Sequence, residues 1–223
     1  MKNKSFCVCG ERFSNPMHIC AFFDSQQEQY DVITPYIKEG LAGNEQVINI
    51  LEANIHSQHR EHLKGAGISV EKKLANNQLK ILSADETYLK GGSFAAEKMY
   101  HLLEEALIES QNDGFENLRA CGDMVWALKN VRGTDELMEY EARLNQLVPK
   151  YFCSLICMYD INRFSGRAIA DILETHPYVI LNGKIHKNPH YIEPLTFLQS
   201  LLKRKKRTLK ADESGFTRTH LYS

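Results

Sequence analysis

Apolar runs of strand length alternate along the chain with longer stretches whose apolar residues recur at helical spacing. The runs predict strands over residues 17–23, 46–51, 78–83, 117–121 and 152–159. The longer stretches predict helices over residues 31–41, 56–64, 94–111, 134–149 and 165–175. Strands that alternate with helices form βαβ units. The pattern therefore predicts a three-layer α/β fold in which a mainly parallel sheet is covered on both faces.

Local signals predict where several elements begin and end. Ser93 is placed to cap the helix over 94–111, and Thr134 is placed to cap the next helix, which Pro149 closes. Asn182-Gly183 suits a type I′ turn, so residues 178–181 and 184–186 form a C-terminal β-hairpin.

Three segments differ in composition. Residues 1–16 form an N-terminal segment that contains cysteines, and residues 17–195 form the main domain. Residues 196–223 form a basic C-terminal helix or tail, in which KRKKR occupies 203–207. Five adjacent basic residues are typical of a solvated terminal helix.

Composition places the chain among ordinary globular proteins. It has 223 residues, of which 43% are hydrophobic, and a net charge of −1. The near-neutral balance argues against nucleic acid as a partner. No apolar run approaches the roughly 18–20 residues that a membrane helix needs, so a cytoplasmic location is expected and no membrane partner.

The first predicted strand is followed by a segment that cannot cradle a phosphate. A phosphate loop needs glycines, and a Lys with Ser or Thr, between a strand and a helix. Here the chain reads FFDSQQEQYD, which has no Gly, no Lys and several acids. The sequence therefore predicts that ATP is not a cofactor.

Four N-terminal side chains have the chemistry of a zinc site. Cys7, Cys9, His18 and Cys20 supply three thiols and an imidazole, which match the ligands of a tetrahedral zinc ion. The alternative is a reduced cysteine cluster without metal. Of the other cysteines, those at 121, 153 and 157 lie in apolar runs typical of buried strands. His56, His59 and His62 are spread over a broad arc, typical of a solvated helix face.

Asp123 and Trp126 follow the strand over 117–121, where open α/β sheets place their ligands. Two interpretations remain open for this pair. Either both residues line a pocket, or Asp123 caps a turn and Trp126 is a core aromatic residue.

Several segments, taken in order, resemble the MEDS family of sensory domains. They are HICAFF (18–23), YIKEGL (36–41), LRACGDMVW (118–126), YEARLN (140–145), CMYD (157–160), His176-Pro177 and NPHY (188–191). The resemblance implies a RecA/KaiC-like core whose phosphate loop has degenerated. It also implies an input role in signal transduction, with simple hydrocarbon derivatives as the class of signal.

Together these observations predict a non-enzymatic sensor that binds a small molecule at the carboxyl ends of the strands. The expected ligand-binding residues are His18, Cys20, Asp123, Trp126, Tyr140, Glu141, Tyr159 and His176. The signal is expected to pass to a partner protein, a kinase or a transcription regulator, or through homo-oligomerisation. Two alternatives remain: a metal- or thiol-dependent enzyme or redox sensor that uses the Cys7/Cys9/His18/Cys20 set, and a protein-interaction module without a ligand.

Overall fold

The computed structural model describes residues 5–129 and 131–213. Its strands are β1 (Phe6–Val8), β2 (Glu11–Phe13), β3 (Met17–Phe23), β4 (Gln46–Leu51), β5 (Leu79–Ser83), β6 (Leu118–Asp123), β7 (Ser154–Asp160), β8 (Tyr178–Leu181) and β9 (Lys184–Lys187). Its helices are α1 (Gln26–Ala42), α2 (His56–Gly65), α3 (Val70–Ala75), α4 (Ala96–Asn112), α5 (Leu137–Tyr151), α6 (Gly166–Thr175) and α7 (Pro194–Glu213). Single turns of 3-10 helix occupy Ala53–Ile55, Val125–Leu128 and Thr134–Glu136.

Seven strands form one sheet in the order β5-β4-β6-β7-β3-β8-β9. All neighbouring pairs are parallel except β8 and β9, which form the expected C-terminal hairpin. Its turn residues Asn182 and Gly183 have φ angles of 49° and 68°, as a type I′ turn requires. The predicted α/β fold with a mainly parallel sheet is confirmed.

The side chains of β3 alternate between the two faces of the sheet. Ile19, Ala21 and Phe23 pack with α1, α2 and α3. Cys20 and Phe22 belong to the second core, which α4, α5, α6 and α7 cover. Because successive strand residues point to opposite faces, His18 faces α5 together with Cys20.

The N-terminal cysteines belong to a small hairpin of β1 and β2, which the sequence pattern did not predict. Its turn residues Cys9 and Gly10 have φ angles of 50° and 79°. The hairpin packs on α1, where the Cys7 backbone N–H donates to Glu39 Oε2 at 2.9 Å. Strands of three residues are too short to show a clear alternation of apolar and polar positions, which explains why the sequence pattern did not predict this hairpin.

Helices α1 and α4 begin at other residues than the pattern predicted. Helix α1 begins at Gln26 because the Ser25 hydroxyl accepts from the Glu28 N–H at 3.3 Å. Helix α4 begins at Ala96, and Ser93 does not cap it. The Phe94 ring instead packs against Trp126, at 4.8 Å between centroids.

Helix α5 differs from the prediction at both ends. Thr134 begins a 3-10 turn, and α5 itself starts at Leu137. Pro149 lies inside the last turn and does not close the helix. The helix ends at Tyr151, and the next residue, Phe152, has a φ of 51°, the left-handed conformation common after helix ends.

The predicted solvated histidine face on α2 is wrong, because His59 is fully buried. Its Nε2 accepts from Asn49 Nδ2 at 3.0 Å, and its ring lies against Tyr30. Tyr30 also stacks on His62, with 3.8 Å between ring centroids. This face of α2 therefore packs against the sheet and α1.

The basic segment begins within α7, whose first turns join the core. Phe197 is fully buried, and Arg204 Nη1 donates to Asp171 Oδ1 at 2.6 Å. Residues 1–4 and 214–223, including the end of the predicted tail, lie outside the described residues. In the described part of the chain, no helix combines the length and apolar character that a membrane crossing requires.

Candidate functional site

Glu141, a fully buried residue of α5, is the centre of a polar cluster in the core. Its Oε2 lies 3.1 Å from His18 Nε2 and 3.3 Å from His176 Nε2. The two imidazole rings face each other at 4.1 Å between centroids. Cys157 and Tyr159 of β7 complete what we call the Glu141 cluster: His18, Glu141, Cys157, Tyr159 and His176.

Alternation in the strands and one helical turn bring these side chains together. His18 lies in β3 and faces α5, while Cys157 and Tyr159 lie two residues apart in β7 and share that face. Glu141 and Asn145 are one turn apart in α5, so both reach the same strands. His176 follows the last residue of α6.

Two histidines are oriented by hydrogen bonds at their Nδ1 atoms. His176 Nδ1 lies 2.7 Å from the backbone carbonyl of Ile172, which can only accept, so this nitrogen carries the proton. His18 Nδ1 lies 3.1 Å from Asn145 Oδ1. Asn145 Nδ2 donates to the Thr175 carbonyl at 2.7 Å, which leaves its Oδ1 to accept from His18. Because Nδ1 carries a proton in both rings, Nε2 donates to Glu141 when a ring is protonated and presents a lone pair when it is neutral.

Both oxygens of Glu141 have partners on β7. The Tyr159 hydroxyl donates to Oε1 at 2.9 Å. The Cys157 thiol lies 3.4 Å from Oε2 and 3.6 Å from His18 Nε2. The tyrosine thus fixes the carboxylate plane, and Oε2 is shared by the imidazoles and the thiol.

Burial and charge shift the cluster's pKa values in opposite directions. Burial tends to raise the pKa of Glu141, but hydrogen bonds and charge from His176 and His18 outweigh it and hold this pKa well below its usual range. Burial raises the pKa values of Cys157 and Tyr159, and the Glu141 charge adds to the rise. Glu141 is therefore the stable anion of the cluster.

One donor atom from each of His18, Glu141, Cys157 and His176 lies within 4.8 Å of the other three. Imidazole, carboxylate and thiolate are the ligands that zinc uses in proteins. These four residues could hold a metal ion. They share only His18 with the set predicted from the N-terminal sequence.

The predicted set of Cys7, Cys9, His18 and Cys20 does not assemble. Cys9 packs with the α1 side of the sheet, whereas Cys20 packs with the α5 side. The sheet therefore separates the hairpin cysteines from the β3 pair. The Cys20 thiol instead donates to the Tyr178 carbonyl at 3.6 Å.

The structure brings together four of the predicted ligand-binding residues: His18, Glu141, Tyr159 and His176. Two others, Trp126 and Tyr140, lie in a neighbouring aromatic group. The Tyr88 ring stacks on Trp126 at 4.7 Å, and Phe94 contacts Tyr140 edge-on at 5.9 Å between centroids. Trp126 is thus a core aromatic residue that packs against Tyr88 and Phe94.

Asp123 lies apart from the Glu141 cluster, at the carboxyl end of β6. Its Oδ1 accepts from the Val125 N–H at 3.0 Å. Burial raises the pKa of Asp123 to about 6, although the Val125 hydrogen bond lowers it, and the charge of Glu52 adds to the rise. Asp123 thus has the structural role of a turn cap, the second of the two interpretations that the sequence left open.

The segment that joins β3 to α1 holds a carboxylate at the start of the helix. Glu28 Oε2 accepts from the Asp24 backbone N–H at 3.0 Å, while Ser25 caps the helix. A carboxylate thus lies in the first turn of α1, the end of a helix that attracts an anion such as phosphate.

Cys157 and Asn145 are the residues of the site that the sequence analysis missed. Cys157 was interpreted as a buried strand cysteine, and Asn145 as the end of a resembling segment. Their spacing carried a signal, because Cys157 precedes Tyr159 by two residues and Asn145 follows Glu141 by four. The sequence does not show that the two residues lie near each other. That follows only from the structure, in which β3 and β7 are neighbours and α5 packs against them.

A mainly parallel sheet with helices on both faces defines a domain related in architecture to RecA/KaiC-type proteins. A KaiC-like protein from Pyrococcus horikoshii has the same fold, with a TM-score of 0.57. That likeness covers 77% of this chain and 74% of the other at 12% sequence identity, so it shows the fold alone.

The chain belongs to the MEDS family, the methanogen/methylotroph and DcmR sensory domain, whose family model matches residues 17–177. The transcriptional repressor DcmR of Methylorubrum extorquens is 26% identical over 170 residues. The match covers 76% of this chain and 61% of DcmR, so the chain spans about three fifths of that relative's length. A sensory or regulatory role follows.

Proposed function

We propose that the chain is a non-enzymatic sensor that binds a small molecule at the Glu141 cluster. The observation that carries this proposal is the complete burial of a carboxylate among two imidazoles, a thiol and a phenol. Removing a charge from water costs several kcal/mol, about as much as good pairing returns. The buried Glu141 carboxylate and its partners therefore add little to the stability of the fold. Ligand recognition explains their presence in the core.

Thiol chemistry argues against the alternative of an enzyme. Burial raises the pKa of Cys20 well above its ordinary value and that of Cys121 to about 12. The reactive form of cysteine is the thiolate, which these environments disfavour. The acid at the start of α1 also supports a domain that does not hydrolyse ATP.

The proposed ligand is a simple hydrocarbon derivative. The support comes from membership of a family described by methanogens and methylotrophs. Its entry requires the core to open, because His18, Glu141 and His176 are all buried. Two surface cavities of about 390 and 340 Å³ lie elsewhere, beside Cys9 and Gly183. The ligand would therefore act by favouring a second conformation, to the extent of its differential affinity for it.

The proposed output is a protein contact, either with a transcription regulator or kinase, or between copies of this chain. The DcmR relative, a transcriptional repressor, favours a regulator. Leu195 and Leu202 are 68% and 57% exposed on α7. These residues are two helical turns apart and share one face, which makes that face the candidate contact.

Trp126, the one tryptophan of the chain, makes the proposal testable in solution. Its fluorescence is recorded while methanol, methylamine or dichloromethane is added. We expect a saturable change with at least one of these probes, lost in Glu141→Gln and kept in Asp123→Asn, which lies outside the cluster. A response equal in wild type and Glu141→Gln, or none to any probe, would contradict the proposal.

The full burial of the cluster also favours one other candidate, the interaction module without a ligand. That candidate predicts that Glu141→Gln keeps its partner and oligomeric state, and that no probe changes them. Size-exclusion chromatography with and without the probes separates the two functions.

A further inference from the structure

We propose that the Glu141 cluster is a metal centre in which His18 Nε2, His176 Nε2, Glu141 Oε2 and Cys157 Sγ bind one zinc ion. The inference deepens the proposed sensory function and rests on it for its role in signalling. The metal site itself is argued from the geometry of these four residues.

Four of the six distances between donor atoms are close to those around a tetrahedral ion, and all six are within 4.8 Å. Zinc binds nitrogen and oxygen at about 2.0–2.1 Å and sulfur at about 2.3 Å, so neighbouring ligand atoms lie about 3.3–3.6 Å apart. Glu141 Oε2 lies 3.1 Å from His18 Nε2, 3.3 Å from His176 Nε2 and 3.4 Å from Cys157 Sγ. The Cys157 and His18 donors are 3.6 Å apart.

Hydrogen bonds to atoms other than the four donors hold three of the ligands in place. Both imidazoles donate through Nδ1, His18 to Asn145 and His176 to the Ile172 carbonyl. Metal-bound histidines are held by hydrogen bonds of this kind at the nitrogen that does not bind. The Tyr159 hydroxyl orients Glu141 through Oε1 and leaves Oε2 to bind.

One atom of the cluster is otherwise without a partner. His176 Nε2 is buried 3.3 Å from Glu141 Oε2, and while the ring is neutral this nitrogen has no hydrogen-bond partner among the described residues. A buried polar atom without a partner costs about 1–3 kcal/mol. An ion between the four donors satisfies this nitrogen and separates its lone pair from the carboxylate.

The charges of the site also fit a divalent ion. One carboxylate and one thiolate neutralise its two positive charges, while the imidazoles bind as neutral ligands. A neutral centre suits a site whose ligands are all buried, because burying a net charge is costly. Four protein ligands close the coordination sphere, as in structural rather than catalytic zinc sites.

The first test uses the wild-type chain alone, without ligand or partner. Elemental analysis after dialysis should find one zinc per chain, and X-ray absorption should find one sulfur and three nitrogen or oxygen neighbours. No stoichiometric uptake of added Zn²⁺ would overturn the proposal. Two or more sulfur neighbours would also overturn it, since Cys157 is the one thiol of the proposed set.

Variants assign the ion to these residues. Cys157→Ser should weaken zinc binding at least about 100-fold, and Asn145→Ala, which removes the partner of His18, about 10-fold. Cys153→Ser, a buried thiol outside the cluster, and the pair Cys7→Ser with Cys9→Ser should bind as wild type. Loss of zinc in the hairpin pair but not in Cys157→Ser would refute the assignment.

The two proposals fail separately. Zinc bound as described, with no response of Trp126 to any probe, contradicts small-molecule sensing and leaves the metal centre in place. A probe response that depends on Glu141 in a chain that takes up no zinc contradicts the metal centre alone.

Discussion

The hydroxyl of Tyr88 lies over Gly122 in the space that a Cβ atom on this residue would fill. Gly122 is paired with Cys157 across β6 and β7, so the tyrosine reaches the edge of the Glu141 cluster. A glycine is therefore required at this position because any side chain would collide with Tyr88. Its role is to let an aromatic residue cover the polar cluster.

Substituting Gly122→Ala should displace Tyr88 and destabilise the fold. Overpacking of this kind costs about 1–3 kcal/mol. Because Tyr88 stacks on Trp126, the fluorescence of the native state should change as well. Urea unfolding followed by tryptophan emission measures both effects.

Gly65→Ala is the matched control, because an added Cβ there meets no atom within 4 Å. It should leave the free energy of unfolding unchanged or slightly raised, since alanine favours a helix. If the two variants had equal free energies of unfolding, Tyr88 would move aside without destabilising the fold, which would contradict the prediction.

The Glu141 cluster illustrates what the sequence could and could not predict. The alternation of β3 placed His18 and Cys20 on one face, and the hairpin turn at Asn182-Gly183 follows from local chemistry. The pairing of His18 with Glu141 spans 123 residues. It depends on β7 lying beside β3 and α5 crossing both, which no local pattern encodes.

The predicted zinc ligands failed for a related reason. Cys7 and Cys9 are close to His18 in sequence, but the chain turns through β2 before it enters the sheet. The hairpin packs on the face of the sheet that α1 covers, whereas His18 points to the face that α5 covers. Of the four predicted ligands, His18 alone belongs to the Glu141 cluster.

Removing the Tyr159 hydroxyl should destabilise the native state. In Tyr159→Phe the buried Glu141 Oε1 loses its hydrogen bond, which costs about 1–3 kcal/mol for an acceptor that carries charge. Tyr30→Phe is the control, because the Tyr30 hydroxyl is buried without a hydrogen-bond partner among the described residues. Denaturant unfolding should separate the variants, and equal losses would contradict the role given to Tyr159.

Asp123 should make stability fall as pH rises. Its pKa is about 6 in the fold against 3.8 for the ordinary carboxyl, so the native state holds the proton more tightly than the unfolded chain. Between about pH 4 and pH 7 the native carboxyl loses that proton, and the fold loses about 3 kcal/mol. Asp123→Asn should therefore be more stable than wild type at pH 7.5 and equal to it near pH 4. Thermal melts across this range measure the difference, and a constant offset would contradict the shifted pKa.

His59 should make the stability of the fold decrease as pH falls. A histidine whose pKa is raised by an acidic partner has the opposite effect. Burial, together with the charges of His62 and His56, lowers its pKa to about 4 from 6.5. As pH falls from 6.5 towards 4, the unfolded chain gains a proton that native His59 does not, so stability is lost. His59→Gln should reduce this loss, whereas His101→Gln, at an exposed position, should not. Identical pH profiles for both variants would contradict the buried neutral state.

Native mass spectrometry of the freshly purified chain tests most directly whether the Glu141 cluster binds anything. Wild type and Asp123→Asn should exceed the mass of the polypeptide by one zinc ion, and Glu141→Gln should not. A wild-type chain of bare polypeptide mass would contradict the metal centre. A chain that carries a nucleotide whether or not Glu141 is present would contradict a receptor site at Glu141.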